Sequence, residues 1–203
     1  MRISHPWSWV PQRRQAGLFA FELVLTLLVL LALQATGGPL RTEAAPAGIV
    51  SFELAGNDSL SQEILRSWGP TGRIYAGLNL GLDYLFLFAY ATSIGLACAI
   101  IGQKGALHPW LRSLGISLSW ALLLAAAFDA MENYALIRLL VGSTGGGWSI
   151  AARFAAIAKF SLVILGILYV ILAGLSAVLV RLSPERGRSP DHVPPPLGGG
   201  QSG

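Results

Sequence analysis

The sequence predicts an all-α fold, a four-helix transmembrane bundle with a short amphipathic extracytoplasmic helix. The main observation is a set of four long apolar runs, at about 17–36, 74–101, 111–130 and 150–180. Each run provides the roughly 20 residues that a helix needs to cross about 30 Å of hydrocarbon. Because 54% of the residues are hydrophobic and only 12% are charged, the helices are expected to pack against one another within lipid.

The first run could also be a signal peptide, since basic residues precede it. Its apolar stretch is longer than the usual core of 7–15 residues and begins past residue 15, so a transmembrane helix is favoured. The expected spans are 17–36, 73–101, 111–141 and 149–181. The remaining segments are a cytoplasmic start at 1–16, extracytoplasmic loops at 37–72 and 142–148, a cytoplasmic loop at 102–110, and a disordered, Pro- and Gly-rich cytoplasmic tail at 182–203.

The basic residues predict the orientation of the chain. No acid lies near Arg2, Arg13, Arg14, Lys104 or Arg112, and Arg181, Arg186 and Arg188 follow the fourth run, whereas segment 37–72 holds acids and bases together. Because cytoplasmic loops are enriched in Lys and Arg, both termini are predicted to be cytoplasmic. This placement explains the net charge of +4. The expected partner is therefore the lipid bilayer, and no nucleic-acid partner is expected.

Segment 37–72 is the main region outside the predicted spans. Residues 49–54 alternate in part between apolar and polar and suggest a short extended stretch. Residues 57–59, Asn-Asp-Ser, can start a helix because their side-chain oxygens accept from unpaired first-turn amides. The apolar residues that follow at helical spacing are Leu60, Ile64, Leu65 and Trp68. We expect a helix at about 59–68, ended by Gly69-Pro70, that lies on the outer membrane surface or caps the bundle.

Five charged residues interrupt the apolar runs at similar heights: Asp83, Asp129, Glu132, Arg153 and Lys159. Counted from the cytoplasmic end of its span, Asp83 lies about 18 residues, or roughly 27 Å, into the membrane. A charge at mid-membrane costs roughly 2.5–3.5 kcal/mol on insertion scales, so the charges are expected to pair near the outer boundary. The predicted pairs are Lys159 with Asp83 or Asp129, and Arg153 with Glu132.

Two asparagines extend this predicted polar network. Asn79 lies four residues before Asp83, and Asn133 shares one helical face with Asp129 and Glu132. Two interpretations remain open from the sequence. The network either fixes the register of the helices, or forms a functional site for a proton, a cation or a polar headgroup.

Glu22 is a separate candidate on the inner side of the membrane. It lies about five residues into the first run, with Thr26 one turn above it. Near that boundary its carboxylate can snorkel toward the headgroups or pair with a basic residue. The available bases are Lys104, Arg112 and Arg181. The nearby Trp7 and Trp9 are expected at the headgroup level, where amphipathic rings are favoured.

The sequence gives little indication of an enzyme. The glycines at 145–147 lack the Lys-Ser/Thr that completes a phosphate-binding loop. There is no Cys/His set for zinc, and Arg153 and Lys159 would neutralise most of the field that the carboxylates could offer another metal. We therefore expect neither a metal nor a cofactor, and no catalytic residue is assigned.

Segments 52–56 (FELAG), 82–86 (LDYLF) and 129–133 (DAMEN) resemble those of small uncharacterised bacterial four-span membrane proteins. The resemblance covers about 50–140. It implies a bacterial inner-membrane location, and it transfers no catalytic or binding residue to this chain.

Two functions are expected from the sequence. The first is a structural or accessory membrane component that binds lipid, other membrane proteins or a second copy of itself. The alternative is a small transporter or channel component for a proton, a cation or a polar solute, which would use the outer carboxylates. No span carries a polar stripe along its full length, and this favours the accessory role.

Overall fold

The computed structural model describes residues 4–104 and 108–182, with side chains up to 176. The helices are α1 (Gln12–Gly37), α2 (Ile49–Glu53), α3 (Asp58–Gly102), α4 (Pro109–Leu140) and α5 (Trp148–Leu182), with a 3₁₀ turn at Gly38–Leu40. The described residues contain no strand, and the predicted all-α bundle is confirmed. The tail predicted to be disordered lies almost wholly outside the described residues.

Four helices are long and apolar enough to cross a membrane, so the chain is a membrane protein. Their spans are Gln12–Leu40, Asp58–Gly102, Pro109–Leu140 and Trp148–Ser176. Helices α3, α4 and α5 pack on one another, whereas α1 packs mainly on α3. Within α1 itself, only Gln15 and Val29 are buried. A gap between α1 and α5 is therefore left beside α3, and it becomes important for the candidate site.

Helix α3 is broken at Gly69, where φ is 59° and ψ is −170°. Glycine adopts this left-handed region without steric cost, and the following Pro70 has no amide hydrogen to continue the helix. The break leaves a short helical arm at 58–68. Asn57 caps this arm, and the Asn57 side chain accepts a hydrogen bond from the amide of Leu60 at 2.8 Å. The predicted helix at 59–68 corresponds to this arm.

The arm caps the bundle. Ile64, Leu65 and Trp68 are buried in a core shared with Leu136 and other residues of α4, whereas Leu60 is 36% exposed. The indole nitrogen of Trp68 donates to the carbonyl oxygen of residue 40 at 2.7 Å. Of the two placements left open by the sequence, the packing of the arm supports the cap.

The extended stretch predicted at 49–54 is wrong, because these residues form the helical turn α2. Phe52 is buried against Trp68, with ring centroids 5.2 Å apart in an edge-to-face arrangement. A strand here would have no partner strand among the described residues, whereas a helical turn satisfies part of its own backbone. Gly48 and Gly56 flank α2 with φ of 62° and 71°, which redirects the chain on both sides of it.

Trp7, predicted to lie at the headgroup level, is turned inward toward the bundle. Its side chain is buried and packs on Leu96 and Ala99 of α3, while Trp9 is 77% exposed. Gly95 makes this possible, since a Cβ at that residue would lie 2.5 Å from the Trp7 ring. The segment before α1 therefore folds inward against the bundle at the end of α3 opposite the arm.

Candidate functional site

Four ionisable side chains meet in the half of the bundle nearest α2. Lys159 Nζ of α5 lies 2.8 Å from Asp129 Oδ1 and 2.9 Å from Glu132 Oε2, both of α4. It also lies 3.9 Å from Glu53 Oε2 of α2. We call Glu53, Asp129, Glu132 and Lys159 the carboxylate–lysine cluster. The predicted pairing of Lys159 with Asp129 is present in the structure.

Helix geometry explains how the cluster assembles. Asp129 and Glu132 are three residues apart on α4 and share one face, so a single ammonium group from α5 can reach both. All four side chains are buried, with exposed fractions of 7% for Glu53, 1% for Asp129, 0% for Glu132 and 5% for Lys159. Removing charges from water costs several kcal/mol per ion, so these groups depend on one another for compensation.

Compensation within the cluster is incomplete. Glu132 Oε2 lies 2.9 Å from Lys159 Nζ and forms an ion pair with it. Among the described residues, Glu132 Oε1 and Glu53 Oε2 have no hydrogen-bond partner. Three carboxyl groups share one ammonium group. Buried polar atoms are normally hydrogen-bonded, so the cluster has unused capacity to accept hydrogen bonds and positive charge.

Glu53 was missed by the sequence reasoning, which placed it in an extracytoplasmic loop. A signal was present, because Glu53 lies within the apolar stretch 49–54, where a solvated acid is unexpected. Burial raises the pKa of the Glu53 carboxyl, and the Lys159 ammonium opposes this effect only in part. The carboxyl therefore holds its proton to higher pH than a solvated glutamate does.

The remaining network residues form two separate contacts. Asn133 Nδ2 donates to Asp83 Oδ2 at 2.7 Å, linking α4 to α3. Asp83 is therefore held by an amide, and Lys159 pairs with Asp129 instead. Asn79 Nδ2 donates to the carbonyl oxygen of Leu33 at 3.0 Å and to Thr36 Oγ1 at 2.9 Å, so it holds α1 against α3.

The predicted pair between Arg153 and Glu132 is wrong. Arg153 is exposed, and its side chain lies against Gly56, where an added Cβ would be 2.5 Å from Arg153 Cδ. Lys159 lies six residues further along α5 and fills the space beside Glu132. The ammonium group of Lys159 therefore occupies the position beside Glu132 that was predicted for the guanidinium group of Arg153.

Glu22 is half-buried and makes no ion pair within 4.0 Å among the described residues. Of its three expected partners, the side chain of Arg181 lies outside the described residues. Thr26 Oγ1 donates to the Glu22 carbonyl oxygen at 2.7 Å, and it lies 3.2 Å from Ser93 Oγ. Glu22 is thus remote from the carboxylate–lysine cluster.

A cavity of about 490 Å³ lies beside the cluster, in the gap between α1 and α5. We call it the side cavity. Along α3 it extends from Asn79 to Ile94, which are 15 residues or about 22 Å apart. Leu30 of α1 and Ile167 of α5 line it from opposite sides, and they are 38% and 42% exposed. Both helices therefore contribute partly exposed side chains to the lining of the side cavity.

The side cavity is polar at one end and apolar at the other. Glu53, Asp83, Asp129 and Lys159 line the end next to the cluster. The lining residues toward the other end are largely apolar and include Phe86, Ile94, Val163 and Ile167. Such a cavity can hold a molecule with a polar head and an apolar body.

Tyr90 also lines the side cavity. Its side chain is 4% exposed, and its hydroxyl group has no hydrogen-bond partner among the described residues. A buried hydroxyl without a partner is costly. Tyr90 therefore resembles Glu53 in that each lines the side cavity and has a buried polar atom without a partner among the described residues.

Comparisons of the chain with protein-family models, with curated proteins and with solved structures found no match. The chemistry of this site is therefore argued from its own geometry.

Proposed function

We propose that this chain is a membrane-embedded binding protein for an amphipathic molecule, whose polar head occupies the cluster end of the side cavity. The observation that carries the proposal is the continuity of that cavity. One space of about 490 Å³ contacts both the buried carboxylates and a long apolar wall. This is the lipid-binding form of the accessory role expected from the sequence.

The size and position of the side cavity support this function. Small-molecule sites are typically about 300–1,000 Å³ and largely apolar, with a few polar groups that fix orientation. The gap between α1 and α5 would let a lipid-like molecule enter sideways from the bilayer. A molecule that enters in this way places its chain along Val163 and Ile167 and its head near Lys159.

The unpaired polar atoms favour binding over a network that serves packing alone. A buried network that only fixes helix register is stable when each of its members is satisfied. Here Glu53 Oε2 and the Tyr90 hydroxyl are buried without a hydrogen-bond partner among the described residues, and both residues line the cavity. The polar end of the cavity is therefore not a fully satisfied network.

We also propose a bacterial inner-membrane location with both termini in the cytoplasm. The support is the set of basic residues in 1–16 and 102–112 and the resemblance of 50–140 to bacterial proteins. In intact cells, a membrane-impermeant thiol reagent should label a cysteine at exposed Glu63 and leave one at exposed His108 unlabelled, in a Cys98→Ser background. The reverse pattern would contradict this orientation.

The binding function is tested by filling the side cavity. Leu30 and Leu31 are neighbours on α1, but Leu30 lines the cavity and Leu31, which is 66% exposed, does not. In phosphatidylcholine nanodiscs, three radiolabelled amphiphiles of equal chain length are compared: dodecylamine, monolauroylglycerol and dodecanoate. Empty nanodiscs correct for partition into lipid.

We expect at least one of the three amphiphiles to bind saturably at one molecule per chain. Leu30→Trp should weaken that binding about tenfold or more, equivalent to about 1.4 kcal/mol, because the indole fills the cavity. Leu31→Trp should leave it unchanged. If none of the three binds, or if both variants bind like the wild type, the proposed function is wrong.

A further inference from the structure

The carboxylates at the polar end of the side cavity indicate which head group it takes. Resting on the proposed function, we propose that the ligand is an alkyl amine, a cationic ammonium group carried on an apolar chain. The argument depends on the charges around the cavity, on its unpaired acceptors, and on the position of the protein's own ammonium group.

Acids outnumber bases around the polar end. Glu53, Asp83 and Asp129 line it, and Glu132 lies directly behind, 2.9 Å from Lys159. The basic groups are Lys159 and Arg41, and Arg41 is exposed at the cavity rim. A buried excess of carboxyl groups is stable only when protons or a cation compensate it. A ligand with a positive head provides that compensation, and an anionic head would increase the excess.

The available hydrogen-bonding groups also match an ammonium head. An ammonium group has three donors and no acceptor, whereas an ionised carboxylate accepts only. Glu53 Oε2 has no hydrogen-bond partner among the described residues. Asp83, which is half-buried, receives its one described side-chain bond from Asn133. Asp83 can therefore accept from a ligand head, and Glu53 lies at the same end of the cavity.

Lys159 shows that this environment accommodates an alkylammonium group. Its Nζ atom lies within 3 Å of Asp129 and Glu132, and its own chain runs past the apolar lining. Because Lys159 is already engaged by three carboxyl groups, it has little capacity left for an anionic ligand. A phosphate or carboxylate head would face Glu53 and Asp83 without a free buried cation.

The test ranks the same amphiphiles by affinity in phosphatidylcholine nanodiscs at pH 7. We expect dodecylamine to bind the wild type at least about tenfold more tightly than monolauroylglycerol or dodecanoate. Glu53→Gln and Asp83→Asn should each reduce this preference about threefold or more, because each removes one acidic group that can compensate a cation, with little change of shape. Glu43→Gln is the matched control, because Glu43 lies in the same loop as Glu53 but is exposed.

Propylamine distinguishes an amphiphile site from a site for a small soluble amine. We expect it to bind at least about a hundredfold more weakly than dodecylamine, since it lacks the chain that covers the apolar wall. Equal affinities for the two amines would overturn the proposal in favour of a soluble amine.

The remaining outcomes separate this inference from the proposed function. If monolauroylglycerol or dodecanoate binds as tightly as dodecylamine and Leu30→Trp still blocks binding, the amine inference is wrong and the binding function stands. Two measurements serve as folding controls for each variant. The first is an unchanged elution volume in size-exclusion chromatography. The second is retained binding of monolauroylglycerol, provided that the wild type binds it. If either Glu53→Gln or Asp83→Asn fails to fold, the other variant tests the amine inference. If both fail to fold, the affinities of the wild type for the three amphiphiles test it.

Discussion

At the end of the bundle near Trp7, buried polar groups other than His5 Nδ1 find partners close by, whereas near α2 several do not. Gln15 Nε2 donates to the carbonyl oxygen of Val10 at 3.0 Å, and Gln103 Nε2 donates to Gln15 Oε1 at 3.2 Å. Tyr169 Oη donates to the carbonyl oxygen of Leu111 at 3.0 Å. In contrast, Glu132 and Glu53 near α2 retain oxygens without partners among the described residues.

This difference indicates that the two ends have different roles. The Trp7 end combines aromatic packing with polar groups that, apart from His5 Nδ1, are hydrogen-bonded, which is the arrangement that stabilises a helix bundle. The α2 end contains charged groups that cost free energy to bury and a cavity that reduces packing. The apolar core that α2, the arm and α4 share stabilises the α2 end as well, and binding is proposed in the cavity beside that core.

Among the substitutions that test this difference between the two ends, Lys159→Met is expected to have the largest effect on stability. It removes the one ammonium group of the carboxylate–lysine cluster and leaves three buried carboxyl groups uncompensated. We expect the free energy of unfolding to fall by about 3–5 kcal/mol, measured by denaturant titration in detergent micelles.

The matched control for this change is Arg153→Met, also on α5 but exposed. It should change the free energy of unfolding by less than about 0.5 kcal/mol. Adding Glu132→Gln to Lys159→Met should recover part of the loss, because it removes one of the uncompensated charges. Equal effects of the two methionine variants would mean that the cluster does not depend on its ammonium group.

A change of intermediate size tests the Trp7 end. Gly95→Ala places a Cβ 2.5 Å from the Trp7 ring and 3.3 Å from the carbonyl oxygen of Ser119. We expect a loss of about 1–3 kcal/mol from overpacking, accompanied by exposure of Trp7 to a soluble fluorescence quencher.

Gly81→Ala is the control on the same helix, since nothing lies within 4 Å of a Cβ there. It should be neutral or stabilising by up to about 1 kcal/mol. If Gly95→Ala is as well tolerated as Gly81→Ala, then Trp7 does not need that glycine for its packing.

The smallest effect concerns pH and the α2 end. Burial raises the pKa of Glu53 above its ordinary value of 4.5. The native state then binds this proton more tightly than the unfolded state. The resulting stabilisation is complete below the unfolded pKa and is lost as pH rises through the native pKa. Each pH unit in that window changes the free energy of unfolding by at most about 1.4 kcal/mol.

Unfolding of the wild type and Glu53→Gln between pH 4.5 and 8 measures this contribution. The free energy of unfolding of the wild type should fall relative to that of Glu53→Gln as pH rises. The control Glu43→Gln should follow the wild type throughout. A wild type that gains stability over Glu53→Gln with rising pH would contradict a raised pKa for this carboxyl.

The sequence predicted part of the site because helical spacing constrains it. Asp129 and Glu132 had to share a face of α4, and the cost of isolated charges in lipid required a basic partner. Lys159 and Arg153 were both available, and periodicity alone did not distinguish them. Their positions around α5 distinguish them in the structure, since Lys159 faces α4 and Arg153 is exposed beside Gly56.

Hydrophobicity and helical period, which are local properties, determined from the sequence alone that the chain is an all-α bundle with four helices able to cross a membrane. The arm at 58–68 was also predicted, from its cap residues and its Gly-Pro end. The tertiary structure decided that α2 brings Glu53 to Lys159, that Trp7 packs beside Gly95, and that a cavity remains between α1 and α5. These features depend on contacts between segments distant in sequence, whose free energies no local pattern encodes.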